Sequence, residues 1–189
     1  MRFPALLIAV LAVALFAYVS VNALRSEGPG SRGVPERQEL PPFAVPLALS
    51  GLTGDANVSD RACTVRGPDV LNVCELAERG PVVLAFFAAP SDRCDDQVDV
   101  LDGLRGRFPD VQFAAVAIRG DREELRALVR ERGWRLPVGW DRDGAATNLY
   151  GVAVCPSITF ADRSGTVRDT AIGSLGRAEV VRRVEALLR

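Results

Sequence analysis

The sequence predicts an α/β fold, a central mixed sheet flanked by helices, and three stretches carry that prediction. Residues 82–87, Val-Val-Leu-Ala-Phe-Phe, are an unbroken apolar run rich in β-branched and aromatic side chains, which suits a strand covered on both faces inside a parallel sheet. Residues 111–118 form a second apolar run, and between the two Val98, Leu101, Leu104 and Phe108 recur at helical spacing. Strand, helix and strand in this order imply a right-handed parallel crossover. Farther on, Asp162-Arg163-Ser164-Gly165 reads as a hairpin turn leading into a strand over residues 165–172, which adds antiparallel pairing.

Length and composition fit one such domain. The chain has 189 residues, 48% of them hydrophobic and 25% charged, and a formal net charge of −1 gives no electrostatic footprint for nucleic acid. It contains no His and no Lys, so its 23 basic residues are all Arg. Without histidine, Ser-His and Cys-His catalysis and histidine metal ligation are excluded within the chain. No metal site and no cofactor are expected.

Taken in order, residues 3–24 carry no charge and only Ser20 and Asn22 as clearly polar side chains, about the length of one membrane span. Residues 1–24 are therefore expected to be one transmembrane helix that anchors the chain to a membrane. The alternative is an export signal, cut after the small-x-small triplet Val21-Asn22-Ala23 and leaving a secreted domain. Arg2 lies before the span and Arg25, Arg32 and Arg37 after it, so charge alone does not orient it. The favoured arrangement is a single-pass protein of the cell membrane with its C-terminal domain outside the cytoplasm. Residues 25–40 mix Gly, Pro and charge without periodicity and read as a linker. The domain is expected over residues 41–189.

Within it, residues 41–46 suit an edge strand and residues 47–79 are loop-rich. Cys63 and Cys74 fall in that loop, eleven positions apart, and in an exported domain such a pair reads as a structural disulfide. Closing a loop of this size stabilises a fold by about 2 to 3 kcal/mol on the chain-entropy model. After the first strand, Ser91 suits an N-cap, Asp92, Asp95 and Asp96 put negative charge on the first helical turn, and Cys94 falls on the inward stripe. Asp121 with Glu124 forms a capping box ahead of Leu125, Leu128 and Val129, and Gly133 stops that helix. Arg122, Arg126 and Arg130 read as a solvated basic ridge. Asp141-Arg142-Asp143-Gly144 reads as a turn rather than a metal site. Val180, Val181, Val184, Leu187 and Leu188 mark a closing helix.

The run Phe86-Phe87-Ala88-Ala89-Pro90-Ser91-Asp92-Arg93-Cys94 resembles the redox site of the thioredoxin-like superfamily, in which a central strand ends in Phe-Trp-Ala-x-Trp-Cys-x-x-Cys. Here Phe87 and Pro90 replace the two tryptophans and Ser91 the first cysteine, while Cys94 matches the second, resolving one. Residues 137–160 are similar to the redoxin pattern Pro-x-x-x-Asp-x-x-Gly, Tyr-Gly-Val, three residues, Pro, x, x, Phe, and the resemblance covers residues 41–189. It implies a thioredoxin-like fold and a cis peptide before Pro156, in a loop facing the redox helix. It further implies that Cys155, the residue before that proline, lies at the rim of the substrate groove and attacks protein thiols or disulfides, with Cys94 resolving. With Cys63 and Cys74 closed on each other, these two cysteines are left as a reversible pair.

Three functions follow. The first is a membrane-anchored thiol-disulfide oxidoreductase using Cys94 with Cys155. The second is a non-catalytic module that binds a partner at the cis-proline face, with Cys94 a buried thiol. The third is a thiol peroxidase, because Ser91-Asp92-Arg93-Cys94 also matches the Thr/Ser-x-x-Cys half of the peroxiredoxin motif, though Phe87 stands where that motif has proline. The helix N-terminus and Arg93 favour a Cys94 thiolate and the three nearby aspartates oppose it, so a nearly normal or raised thiol pKa is expected. Ser91 has no histidine to activate it and is expected to cap the helix.

Overall fold

The computed structural model describes residues 11–18 and 32–189, the side chain of Asp92 excepted. Residues 11–18 are helical (α1), while residues 1–10 and 19–31, which hold most of the expected anchor and the first part of the expected linker, lie outside the described residues. The rest of that linker is packed on the domain: Val34 is buried, and the Arg37 and Leu40 amides donate to the carbonyls of Val167 and Gly165. Among the described residues no helix is long and apolar enough to cross a membrane.

The domain is built on a five-stranded mixed sheet. Its strands are β3 (Val82–Phe87), β4 (Gln112–Ile118), β5 (Val138–Asp141), β6 (Ser157–Ala161) and β7 (Val167–Ile172), in the spatial order β5-β4-β3-β6-β7. β3 runs parallel to β4 and β4 to β5, whereas β6 is antiparallel to both β3 and β7. The helix α3 (Asp92–Asp102) makes the first crossover and α4 (Arg122–Arg132) the second. β1 (Ala44–Pro46) pairs antiparallel with β2 (Val70–Asn72) as a separate two-stranded ribbon. The remaining helices are α2 (Val73–Arg79), α5 (Ala145–Leu149) and α6 (Arg177–Leu187).

β3 is buried along its whole length, and its alternation divides the core. Val83, Ala85 and Phe87 face one cluster with Cys94, Val98, Leu101, Leu125, Val129, Val180 and Val184. Val82, Leu84 and Phe86 face the other with Phe43, Leu71, Leu76, Ala146 and Tyr150. A central strand buried on both faces is what an uninterrupted apolar run supplies. α4 starts and stops as expected: the Asp121 carboxylate accepts from the Glu123 and Glu124 amides, and Gly133 closes the helix with φ 66°.

Two expectations are corrected. The loop-rich stretch 47–79 ends in β2 and α2, because the Asn72 carboxamide caps a helix there by accepting from the amides of Cys74 and Glu75. Arg122 and Arg126 do not form a solvated ridge. Arg122 is buried and donates to the carbonyls of Leu47, Ala48, Ser50 and Leu52, and Arg126 donates to those of Ala48 and Ser50. An uncapped turn at residues 47–52 leaves carbonyl groups that two planar five-donor guanidiniums can satisfy, which draws both side chains inward. Burial, and then the neighbouring Arg126, pull the Arg122 guanidinium below its ordinary pKa.

Candidate redox site

Cys94 and Cys155, 61 positions apart, are joined as a disulfide with a Cα–Cα distance of 6.0 Å. Each is delivered by the strand next to it. Cys94 follows the end of β3 on the first turn of α3, and Cys155 precedes β6, the antiparallel neighbour of β3. The Cys155–Pro156 peptide is cis, and so is Ala89–Pro90 on the facing loop. The two sulfurs differ in access: Cys94 is 4% exposed and packs with Phe87 and Val98, whereas Cys155 is half-buried beside Val154, which is 51% exposed. The sulfur at the position that the resemblance makes resolving is therefore the covered one, and the sulfur before the cis-proline is the open one.

Polar hydrogens are aimed at both sulfurs. The Ala88 amide donates to Cys155 Sγ at 3.0 Å, and Ser91 Oγ donates to Cys94 Sγ at 3.6 Å. Ser91 occupies the N-cap position of α3 in extended backbone, but its side chain makes no cap bond. This corrects the expectation for Ser91. The Cys94 and Asp95 amides both bond the Ser91 carbonyl at 2.9 Å, so the first turn closes on backbone and leaves the hydroxyl for the sulfur. The acids are likewise not spread evenly around Cys94. Asp95 is buried and accepts from the Ser91 amide at 3.1 Å, while Asp96 is exposed and lies 3.4 Å from Arg132.

Cys63 and Cys74 are also joined, with a Cα–Cα distance of 5.4 Å, and link the single turn of 3-10 helix Ala62–Thr64 to α2. The same junction is fastened by Asn72, which donates to the carbonyls of Ala62 and Val65 while capping α2, and by an ion pair between Arg66 and Glu78. Cys74 packs on the sheet face opposite Cys94. Among the described residues no hydrogen-bond donor reaches either of these sulfurs, and no group of three or more His, Cys, Asp or Glu side chains is placed to hold a metal ion.

The six residues singled out in the sequence thus fall into two places. Cys94, Cys155, Ser91 and Pro156 converge at the C-terminal end of β3, and Cys63 with Cys74 lies elsewhere. Sequence reasoning missed the Ala88 amide, a backbone group that leaves no mark on residue identity. It also missed Gln97, a buried polar residue on the stripe that carries Cys94 and Val98; its place among apolar neighbours was a visible signal.

No curated protein matches the chain in sequence. Solved structures do match in shape. A protein assigned as the thiol:disulfide interchange protein DsbE of Chlorobium tepidum aligns with TM-score 0.67 and 18% identity over 82% of this chain and 99% of that one. A secreted Mycobacterium tuberculosis disulfide oxidoreductase homologous to E. coli DsbE aligns with TM-score 0.57 and 22% identity over 62% of this chain and 89% of that one. Mycobacterium tuberculosis DsbF, solved in mixed oxidised and reduced forms, aligns with TM-score 0.58 and 27% identity over 62% and 87%. These likenesses show a thioredoxin-like fold. Residues 62–170, more than half of the chain and including all four cysteines, match the AhpC/TSA family, and the chain belongs to that family as a redoxin of thioredoxin-like fold.

Proposed function

We propose that the chain is a membrane-anchored thiol-disulfide oxidoreductase that acts outside the cytoplasm through Cys155 and Cys94. One observation carries the reading: an open sulfur on the loop before β6 and a covered sulfur on the first turn of α3 are joined, each with a hydrogen-bond donor aimed at it. A thiolate approaching from solvent reaches Cys155 first. Its attack forms a mixed disulfide at Cys155 and releases Cys94 as a thiolate, which the Ser91 hydroxyl receives. In the other direction, a Cys155 thiolate beside the Ala88 amide attacks a substrate disulfide, and Cys94 then displaces the substrate. The donors favour the charged form of each sulfur, which is the form exchange needs. Protein thiols and disulfides fit as substrates because Cys155 lies on an open rim rather than in an enclosed pocket.

The anchor is supported by the uncharged run at residues 3–24 and by the helical conformation of residues 11–18, where Leu11, Val13, Leu15, Phe16 and Tyr18 are exposed. We place the anchor at residues 1–24, the linker at 25–40, its second half laid along the domain through buried Val34 and the Arg37 and Leu40 amides, and the redox domain at 41–189. The domain's two disulfides agree with an oxidising compartment.

A peroxidase reading has one observation of its own, the Ser91 hydroxyl on Cys94 Sγ in a stretch that resembles the Thr/Ser-x-x-Cys half of the peroxiredoxin motif. The burial of Cys94 and its bond to Cys155 favour exchange instead. The test is reduction of insulin disulfides by the full chain in detergent, run beside hydrogen peroxide consumption. Insulin turnover that vanishes in Cys155→Ser supports exchange. Peroxide turnover that survives Cys155→Ser and vanishes in Cys94→Ser replaces it with the peroxidase.

A further inference from the structure

Resting on the exchange reading above, we propose that Gln97 and the connection between β7 and α6 form a clasp that keeps Cys94 within reach of Cys155 once their disulfide is open. Gln97 is then a positioning residue for the resolving step. Cys94 and Cys155 sit on elements far apart in the chain, so in the reduced state only non-covalent contacts hold the two thiols together. Residues 173–176 touch both elements. The Gly173 amide donates to the Pro156 carbonyl at 2.8 Å, continuing the β6–β7 ladder by one bond next to Cys155. Two residues on, the Leu175 amide donates to Gln97 Oε1 at 2.6 Å, and Ser174 Oγ donates to the Arg93 carbonyl at 3.5 Å. Arg93 precedes Cys94, and Gln97 lies one turn beyond it. None of these bonds uses a sulfur, so none is lost when the disulfide opens.

The cost of Gln97 points the same way. Its side chain is 2% exposed, and among the described residues Nε2 has no hydrogen-bond partner. A methionine of similar size would bury no unpaired amide group of its own there. What glutamine adds is a buried side-chain acceptor that ties α3 to the connection, at shorter range than the Ser174 bond to the Arg93 carbonyl. Holding two reacting groups in register raises their effective concentration, and that quantity decides whether a mixed disulfide resolves or waits for a second thiol from solution.

Glutathione reads this out. The Cys155 thiolate attacks oxidised glutathione, forming a mixed disulfide and releasing one glutathione thiolate. The Cys94 thiolate then attacks Cys155 Sγ, closes the protein disulfide and releases the second. Two protein thiols are oxidised and one glutathione disulfide is reduced, and the two protons the protein thiols give up end on the two released glutathione thiolates, leaving two glutathione thiols. The full-length chain in detergent is equilibrated in glutathione buffers, quenched with acid and scored by mass for glutathione on Cys155 against the closed pair. In Gln97→Met the ratio of closed pair to mixed disulfide is expected to fall about three- to tenfold, the weight of one lost buried hydrogen bond.

Thr147→Val removes a buried hydroxyl bonded to Asp141 in another part of the domain and controls for general destabilisation. Its ratio should match wild type even if its melting temperature falls. An unchanged ratio in folded Gln97→Met overturns the clasp, as does an equal fall in Thr147→Val. A wild-type chain that closes with glutathione but reduces no protein disulfide removes the exchange reading, while the ratio in Gln97→Met still decides the clasp.

Discussion

The chain carries two disulfides of similar Cα spacing, 6.0 Å and 5.4 Å, and what surrounds them differs. Around Cys63–Cys74 the hydrogen bonds go to backbone: Asn72 grips both sides of the junction, and Arg66 with Glu78 adds an ion pair. Cutting that disulfide leaves its two ends held together. Around Cys94–Cys155 the nearest donors, the Ala88 amide and the Ser91 hydroxyl, address the sulfurs themselves. Loop length does not separate the two roles, since chain entropy alone gives about 3 kcal/mol for an 11-residue loop and about 4 kcal/mol for a 61-residue one. The surroundings decide: one pair reinforces a joint that is already made, and the other sits where opening it yields two solvated or hydrogen-bonded thiolates.

The largest effect should come from removing the open sulfur. Cys155→Ser is expected to reduce insulin turnover to the uncatalysed background, whereas Cys63→Ser with Cys74→Ser should leave turnover near wild type. Equal losses in the two would erase the distinction drawn here. Next in size is Ser91→Cys, which puts a second thiol beside Cys94 and restores a Cys-x-x-Cys pair. Its insulin turnover should rise several-fold above wild type, and an unchanged rate in a folded variant would show that the turn is not shaped for a dithiol. Ser91→Ala should slow release of Cys94 from the disulfide by about fivefold, the weight of one ordinary hydrogen bond, read by stopped-flow reduction with dithiothreitol.

Two smaller effects concern stability. The Cys63→Ser, Cys74→Ser chain should lose about 2 to 3 kcal/mol in urea unfolding. Tyr150 lies on the same sheet face as Cys74; it is fully buried, donates to the Pro41 carbonyl, and burial holds its phenol well above the ordinary value of 10.0. Because the folded pKa is raised, the neutral phenol's contribution is intact below pH 10 and is lost as pH rises from there toward the folded value. Unfolding free energy in the alkaline range should therefore fall less steeply in Tyr150→Phe than in wild type.

Much of the fold was legible because its central strand is unambiguous: residues 82–87 have no polar member, and only a strand covered on both sides accommodates that. The helix after Asp121 was equally plain from its cap and its Gly133 stop. The short elements α2 and α5 were harder. Seven and five residues hold too little periodicity to register, and the capping that starts α2 depends on one Asn72 side chain. At the site, the resemblance pointed to Cys94, Cys155, Ser91 and Pro156 and to an order of attack for the two cysteines, but not to the partner of the Ser91 hydroxyl. Ser91 looks like a cap in sequence and serves a sulfur in the fold, and Arg122 looks solvated and is buried against four carbonyls. In both cases a long-range or backbone partner, invisible in a linear pattern, outweighed the local preference.

The most direct test of the central claim is a redox titration that follows both disulfides in one sample. The full chain in detergent is equilibrated in dithiothreitol buffers of graded potential, alkylated, digested and scored by mass at all four cysteines. Cys94 and Cys155 should titrate together with a single midpoint, and Cys63 and Cys74 together at a clearly more reducing one. Cys94 and Cys155 remaining free under oxidising conditions, or all four cysteines sharing one midpoint, would contradict the account.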